Sequence, residues 1–357
     1  MKSLQVLMIG ENIHQSKGGI VTVMKQLLHD RSDSKQINYK PIFTTGDGFT
    51  TPKKVRGWLV AYLKYLLYLP SYKLIHVHHA ANLNFWLTAF FVYVAKFLRR
   101  KVILHNHGAD FKDFYNNCSK KRQLKIKEIF EKASANIVLS NSWLEWYTNI
   151  APNANWILLP NAISIPCDVN VKKLIKDEVI LVYLARIEER KGFYDMLEVM
   201  PKFFSAYPNA QLFIAGQGDL IKVNKLLNEY KISDNIEVLG YINQKQKDEL
   251  LRKAHLLLLP SYDEGLPMAL LEAMSYAVVP ITTPVGGIPD VICNGTNGLM
   301  HEPGDKEGLL RSIEQLLTNP NGYSLMSGCA YKTVADNFNL KIYDERLKDI
   351  YHTCLNQ

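Results

Sequence analysis

The sequence has few cysteines, and no two of them lie close together. The five are Cys118, Cys167, Cys293, Cys329 and Cys354, and no CxxC pair occurs among them. This odd number and wide spacing fit neither a disulfide framework nor a cysteine-based zinc site. A reducing compartment is therefore the expected environment.

Long hydrophobic runs are absent as well. The longest, from Phe85 to Leu98, ends at a basic Arg-Arg-Lys segment. It is shorter than the ~20 residues that a membrane-spanning helix needs, so we expect a buried helix there. The opening MKSLQVLMIG has a short apolar run that ends at Gly10, which predicts a first β-strand rather than a leader peptide.

Size and charge suggest two globular domains of different character. The chain has 357 residues, 47% of them hydrophobic, which is enough for two cores. The first 165 residues carry 22 Lys and Arg against 9 Asp and Glu, a net charge of +13, and the remainder stands at −5 within the total of +8. A basic half favours an anionic partner, such as a membrane surface, a phosphorylated substrate or a nucleic acid. No nucleic-acid partner is expected, because no recognised binding module accompanies the charge.

Short apolar runs recur along the chain, separated by helical patterns. Runs without clean alternation are typical of parallel strands buried on both faces. The predicted strands are Leu4–Ile9, Leu74–His78, Val102–His107, Asn136–Leu139, Ile180–Leu184, Gln211–Ala215, Ile236–Leu239, Leu256–Leu259 and Val278–Ile281. This rhythm predicts an α/β fold with two doubly wound, Rossmann-like domains facing a cleft. Turn formers near residues 160–173 mark the break, so we expect domains over 1–165 and 166–338 and a C-terminal helix over 339–357.

Ligands of doubly wound sheets bind just after the strands, and two cations follow one strand of the second half. Arg186 and Lys191 come after Ile180–Leu184, before a helix that opens at Phe193. A diphosphate suits such a place, because guanidinium and ammonium groups and a helix N-terminus all favour negative charge. If this segment is considered alone, it is better interpreted as a solvated loop in which the basic residues pair with Glu188 and Glu189.

A second loop carries two carboxylates at a spacing of eight residues. Glu264 lies in the turn of PSYDEGLPMALLEAM, and Glu272 lies in the second turn of the predicted helix after it. Eight helical residues rise on the order of 12 Å, so one carboxylate can meet a sugar while the other meets a ribose. The alternative is that Glu264 is an exposed turn residue and Glu272 an ordinary helix residue. The Gly286-Gly287 turn is as typical of a structural turn as of a ligand loop, and Gly216 is a weaker candidate. Tyr241 is as typical of a surface residue as of a contact to a base.

Together these motifs resemble the retaining glycosyltransferases of family 4, which have the GT-B architecture. The resemblance covers nearly the whole chain. It is carried by Arg186 with Lys191-Gly192, the E-x7-E pair Glu264 and Glu272, VGGIPDVI, Gly18-Gly19-Ile20 and His107-Gly108. Two positions depart from the family: PNAIS at 160–164 replaces the usual PNG-x-D, and Lys73 stands where an Asp is frequent.

The resemblance implies a role for each matching residue. Arg186 and Lys191 would hold the donor diphosphate as it leaves, while Glu264 would bind sugar hydroxyls and Glu272 the ribose. The other implied donor contacts are Gly265 and Leu266 through their backbone, Gly216, Tyr241, Gly18 and Gly19, with His107 beside the reacting carbon. The last helix would return to the first domain. The implied activity is retaining transfer of a hexosyl or N-acetylhexosaminyl group from a nucleotide sugar, with UDP favoured over GDP. The alternative is a nucleotide-sugar epimerase or hydrolase.

No metal ion or other cofactor is expected for this reaction. The chain contains no D-x-D motif, so fixed cations would neutralise the leaving diphosphate. Five histidines nevertheless cluster at two strand ends: His76, His78, His79, His105 and His107. A metal site there has to be considered. Carboxylate ligands are sparse near these histidines. We therefore favour a role for His107 in lining the acceptor side of the cleft over a metal site.

The segment from Pro52 to Lys73 combines Trp, Tyr and Leu with basic residues. An interfacial membrane helix, with Lys53, Arg56, Trp58 and Lys64 towards the membrane or acceptor, is about as well supported as a buried helix with a basic edge. Together with the positive charge of the first 165 residues, this segment favours a lipid-linked oligosaccharide acceptor at an anionic membrane surface. We therefore expect a cytoplasmic enzyme, peripheral on the inner face of the cytoplasmic membrane. Its pathway would be bacterial surface polysaccharide synthesis: lipopolysaccharide O-antigen, capsule or exopolysaccharide.

Overall fold

A computed structural model describes residues 3–29, 37–46, 50–174 and 178–357. The chain divides into two compact units, unit 1 over residues 1–162 and 341–357 and unit 2 over residues 163–340. Each unit is built on one six-stranded sheet whose described strand pairs are all parallel. None of the described helices is both long and apolar enough to cross a membrane.

Unit 1 has the strand order β2-β1-β3-β4-β5-β6. Its helices cover the sheet, and its main core lies between the sheet and α2, α3, α5 and α6. In chain order its elements are β1 (Leu4–Gly10), α1 (Gly19–His29), β2 (Ile37–Phe43), α2 (Thr51–Tyr68), β3 (Leu74–His79), α3 (Asn82–Phe97), β4 (Lys101–Asn106), α4 (Phe111–Asn116), α5 (Lys120–Lys132), β5 (Ala135–Val138), α6 (Asn141–Ile150) and β6 (Trp156–Leu158). The last 17 residues, within the final helix, also belong to this unit.

Unit 2 has the strand order β12-β11-β10-β7-β8-β9. A core of buried aliphatic and aromatic side chains joins the sheet to α7, α8, α11 and α12. Its elements are β7 (Ile180–Leu184), α7 (Phe193–Ala206), β8 (Gln211–Ala215), α8 (Leu220–Glu229), β9 (Ile236–Gly240), α9 (Gln244–Lys253), β10 (Leu256–Leu259), α10 (Met268–Ser275), β11 (Val279–Thr282), β12 (Leu299–Met300), α11 (Lys306–Leu317) and α12 (Pro320–Asn337). The final helix is α13 (Leu340–Asn356).

The predicted α/β class with two doubly wound, Rossmann-like units is confirmed. All nine predicted strands are present, each within one residue of its expected bounds. Sequence reasoning missed β2, β6 and β12. The reason for β2 is its place at the sheet edge, where one face is solvated and the sequence INYKPIF alternates instead of running apolar.

Candidate active site

The sheet of unit 2 has its topological switch point between β7 and β10. From β7 the chain proceeds outward through β8 and β9, then returns to the other side of β7 with β10, β11 and β12. Crevices for ligands form at such a point, outside the carboxyl ends of the two strands. Lys191 follows β7 and Glu264 follows β10, so the topology alone brings their loops to one edge.

Lys191 and Glu264 form a largely buried ion pair at this edge. Lys191 Nζ lies 2.7 Å from Glu264 Oε1, and the two side chains are 14% and 6% exposed. The hydroxyl of Ser261 donates a hydrogen bond of 2.8 Å to the same carboxylate oxygen. Ser261 is held in turn by Thr283, whose hydroxyl donates to its carbonyl oxygen across 2.5 Å. The carboxylate is thus fixed from β7, β10 and β11, and Glu264 is buried rather than an exposed turn residue.

Arg186 differs from its basic neighbours in having no counter-charge. Among the residues that the structure describes, its side chain forms no ion pair, and it is exposed at the end of β7. Arg190 instead takes the nearby acids, at 3.1 Å from Glu188 and 3.9 Å from Asp263. The solvated-loop alternative therefore describes Arg190, while Arg186 keeps a guanidinium that can fork onto an anion.

Two glycines let the loops approach closely. Gly192 has φ +64°, and a Cβ there would come within 1.9 Å of the Pro260 carbonyl oxygen. Gly286 has φ +56°, and a Cβ there would lie 1.9 Å from the Glu264 carbonyl oxygen. Any side chain would strain the backbone and push the loops apart. The turn at 286–287 is further tied by Gly287 N–H donating to the Gly265 carbonyl across 2.6 Å.

The remaining donor candidates of unit 2 follow β8, β9 and β10. Glu272, in α10, accepts a 2.5 Å hydrogen bond from Lys247 Nζ of α9. Gly216 lies at the end of β8, where a Cβ would overlap the Ala185 carbonyl oxygen. Leu266 is buried, and Tyr241 is 51% exposed in the turn after β9.

In unit 1, Gly18, Gly19 and His107 follow strands on either side of the β1–β3 switch point. Gly18 has φ +121°, and α1 begins at Gly19. His107 follows β4, and its Nε2 lies 3.0 Å from His78 Nδ1. Burial, followed by the neighbouring His78 and His79, holds the pKa of His107 well below its usual range. The imidazole is therefore neutral at physiological pH.

Comparison with known families identifies the part of the chain that carries the donor loops. Residues 168–333 match the family described as glycosyl transferases group 1. The matched residues are a little less than half of the chain, so this part of the chain is similar to that family. The ion pair, Arg186 and the glycine turns all lie within the matched residues.

Two curated proteins are similar to this chain over different lengths. A phosphatidylinositol N-acetylglucosaminyltransferase subunit of Arabidopsis thaliana is 27% identical over 170 residues, 46% of this chain and 37% of that protein. N-acetyl-alpha-D-glucosaminyl L-malate synthase of Bacillus anthracis is 26% identical over 295 residues, 79% of this chain and 75% of that protein. The chain therefore spans little more than a third of the first relative's length.

Two solved structures share the fold over almost the whole chain. Sucrose-phosphate synthase from Thermosynechococcus elongatus has a TM-score of 0.81 at 19% identity, covering 99% of each chain. HepE from Anabaena, in complex with UDP-glucose, has a TM-score of 0.75 at 14% identity, covering 98% of this chain and 100% of that one. This likeness confirms the predicted GT-B fold class.

Helix α2 of unit 1 carries an exposed apolar stripe with basic residues beside it. Its exposed hydrophobic side chains are Val55, Leu59, Val60, Leu63, Leu66 and Leu67. Lys53, Arg56 and Lys64 are exposed on the same helix. The expectation for Trp58 is wrong: it is 8% exposed and stacks on Phe91, 6.1 Å between ring centroids, because it lies on the helix face that packs against α3.

A groove of about 980 Å³ lies on unit 1 at the carboxyl-end loops of β3 and β4. Its lining includes the aromatic side chains of Trp86 and Phe114, with Asp110 at the start of α4. Lys121 and Arg122 of α5 add exposed positive charge to the rim. Sequence reasoning did not predict this groove.

Sequence reasoning also missed the supports of the donor loop. Ser261 and Lys247 hold the two carboxylates of the E-x7-E pair, yet neither was singled out from the sequence, although Ser261 lies in the PSYDEGLPMALLEAM loop. Ser261 directly follows the Pro after β10, at the strand end where ligand loops gather. That position was the available signal.

Proposed function

We propose that this chain is a retaining glycosyltransferase that moves a sugar from a nucleoside-diphosphate donor, UDP-sugar favoured over GDP-sugar, to a lipid-linked glycan acceptor. The observation that carries the proposal is the buried Lys191–Glu264 pair beside exposed Arg186, at the switch point of unit 2 and within the residues similar to the group 1 family. The bound UDP-glucose of HepE and the N-acetylglucosaminyl transfer named for two relatives support the donor class.

The donor site suits a sugar joined to a diphosphate. An ammonium has three N–H donors, and Glu264 accepts one from Lys191, which leaves donors for phosphate oxygens. Arg186 can fork onto the same anion, and α7 opens directly after Gly192. Glu264 then accepts hydrogen bonds from the hydroxyls of the donor sugar. Glu272, in the second turn of α10, accepts hydrogen bonds from the ribose hydroxyls.

The reaction needs no protein nucleophile in this scheme. The bond between the anomeric carbon and the diphosphate breaks while the acceptor hydroxyl adds from the same face, which retains configuration. The acceptor proton passes to the departing phosphate oxygen. Arg186 and Lys191 stabilise the charge that develops there. The place of His107 beside the reacting carbon, which the resemblance implies, stays a prediction. Catalysis without a metal ion stays a prediction of this scheme.

Two features of unit 1 support a lipid-linked acceptor. The apolar stripe of α2, rimmed by Lys53, Arg56 and Lys64, suits the interface of an anionic membrane. The groove beneath α3 offers Trp86 as a platform for a sugar ring, with Lys121 and Arg122 for a diphosphate. We therefore propose a peripheral enzyme of the inner membrane face, acting in assembly of a bacterial surface polysaccharide.

A donor panel tests the proposal. UDP-, GDP- and ADP-sugars are incubated with and without a polyprenyl-diphosphate-linked sugar, and release of the nucleoside diphosphate is followed. The expected result is acceptor-dependent release, fastest with a UDP-sugar, and an elongated lipid-linked product of retained configuration. Release or sugar alteration at the same rate without acceptor would instead support the epimerase or hydrolase alternative. Brief chelation that leaves the melting temperature unchanged should leave turnover unchanged too.

A further inference from the structure

Strands β3 and β4 bring several imidazoles together on one face of the unit 1 sheet. Their register pairs His78 directly with His105, and His76 lies two residues before His78. Residues two apart on a strand share a face, so all three side chains point the same way. His79 has the opposite parity and packs among Phe85, Phe111 and Phe130 on the other face.

The three imidazoles on this face lie at metal-ligand spacing. One ring nitrogen of each of His76, His78 and His105 lies within 4.8 Å of the others. His76 Nε2 and His105 Nδ1 are 3.2 Å apart. Two nitrogens bound to one tetrahedral zinc at ~2.0–2.1 Å stand about 3.4 Å from each other. The pair of His76 and His105 already stands near that spacing, and the nitrogen of His78 has to approach from within 4.8 Å.

Burial leaves some of these nitrogens without partners. His78 Nε2 and His105 Nε2 have no hydrogen-bond partner among the described residues, and the two residues are 3% and 0% exposed. A buried polar atom in that state carries an uncompensated desolvation cost. Because one imidazole gives a single nitrogen to a given ion, His78 Nε2 is the orphaned atom that an ion held by His76 Nε2 and His105 Nδ1 would satisfy.

An outer partner orients the cluster. His76 Nδ1 lies 2.6 Å from the hydroxyl of Tyr351 on α13, and that hydroxyl lies 3.2 Å from Tyr39 Oη on β2. Histidine ligands commonly have their second nitrogen fixed by such a partner, which sets the ring orientation. His107, half-buried at 3.0 Å from His78, gives the cluster a side that reaches towards solvent.

We propose that His76, His78 and His105 form a structural site for a divalent transition metal ion of the zinc class in unit 1. Three imidazoles without a carboxylate or thiolate favour Zn²⁺, Co²⁺ or Ni²⁺ over Mg²⁺ or Ca²⁺. The site ties β3 to β4 and, through Tyr351, to α13. It departs from the expectation of no metal, and it is separate from the donor cations, which belong to unit 2.

Metal content and thermal stability test the site without an activity assay. Chelator-treated protein is equilibrated with Zn²⁺ or Co²⁺, and bound metal is measured by mass spectrometry. The wild-type chain should hold about one ion, gain thermal stability on binding, and give visible Co²⁺ absorption bands of a tetrahedral nitrogen-ligand site. His105→Gln should lose the ion and the stability gain, and Tyr351→Phe should weaken binding about tenfold.

His79→Gln is the matched control, because it changes a buried histidine of the same strand on the opposite face. It should keep the ion. Wild-type protein that binds less than about a tenth of an ion and shows no stability gain would overturn the proposal, and the cluster would then be neutral imidazoles without a metal. Retention of the ion by His105→Gln, or equal loss by His79→Gln, would also overturn it. The wild-type Co²⁺ spectrum decides the question if a variant fails to fold.

Discussion

The ion pair between Lys191 and Glu264 allows stability and catalysis to be separated by experiment. Its charged atoms are 2.7 Å apart, and both side chains are mostly buried. At an effective dielectric constant of about 20, the Coulomb attraction at that distance is ~6 kcal/mol. Much of it offsets the cost of removing both charges from water. Loss of one partner leaves the other buried and unpaired, which should lower the free energy of unfolding by ~3–5 kcal/mol.

Three variants make the separation. Lys191→Met and Glu264→Gln should each destabilise unit 2 by that amount, and Lys191→Met should also lower kcat by ~10²–10³. The double variant places two neutral side chains of similar volume in contact, so most of the lost stability should return. Its kcat should not recover, because the cation that stabilises the leaving diphosphate is still missing.

The assay has to report on unit 2 specifically. All five tryptophans lie between residues 58 and 156, so their fluorescence follows unit 1. Far-UV circular dichroism with hydrogen exchange of peptides from residues 180–340 reports on the second unit. Lys202→Met is the control, because Lys202 forms an ion pair with Glu307 at the surface of unit 2. The two side chains of that pair are 66% and 62% exposed. Its effect should stay within about 0.5 kcal/mol.

Three outcomes would refute this reasoning. If the double variant is as unstable as the sum of the single variants, the two side chains do not interact as a buried pair. If Lys191→Met turns over at the wild-type rate under saturating donor, Lys191 does not stabilise the leaving group. If kcat recovers in the double variant, the loss of kcat in Lys191→Met comes entirely from the loss of stability.

Three further predictions concern other parts of the chain. Arg186→Ala should lower kcat by ~10²–10³ with a stability change within about 0.5 kcal/mol, since the side chain is exposed; steady-state kinetics and thermal melting on one preparation check both. Burial and then Lys172 lower the pKa of His255 to about 4, so the unfolded chain binds its proton first as the pH falls below about 6.5. Between pH 7.5 and 5.5 unit 2 should lose ~1.4 kcal/mol more in wild type than in His255→Gln, measured by hydrogen exchange. Leu63→Asp should abolish flotation with anionic liposomes, whereas Leu325→Asp, similarly exposed at 74% but on unit 2, should not.

The fold was largely predictable because most of its strands are buried on both faces. Such strands show as continuous apolar runs, and LLLL of β10 or ILVYL of β7 admit no other interpretation between turn signals. β2 escaped because its solvated face breaks the run, and β6 because its three residues are only half-buried. Trp58 was misplaced for a related reason: composition shows that α2 has an apolar and a basic side, but not which aromatic faces the core.

The candidate site was predictable only in its charged residues. Arg186, Lys191 and Glu264 stand out because they follow predicted strands, where ligands of doubly wound sheets bind, and because they match the motifs of the family that the chain resembles. The contact between Lys191 and Glu264 was not predictable from spacing, since it depends on β10 lying beside β7 after a detour through β8 and β9. The histidine cluster depends likewise on the register that pairs His78 with His105.

Local pairing, more than net charge, decides how the second unit can attract an anion. The chain beyond residue 165 is mildly acidic at −5, yet its candidate ligand is a diphosphate. Lys191 is balanced by Glu264, and Lys247 by Glu272. The positive field at the carboxyl end of β7 therefore comes mainly from Arg186 and from the N-terminus of α7. An anion that binds there also competes with Glu264 for the Lys191 ammonium, so occupancy by the donor would loosen the buried carboxylate at the moment when its oxygen is needed for sugar hydroxyls.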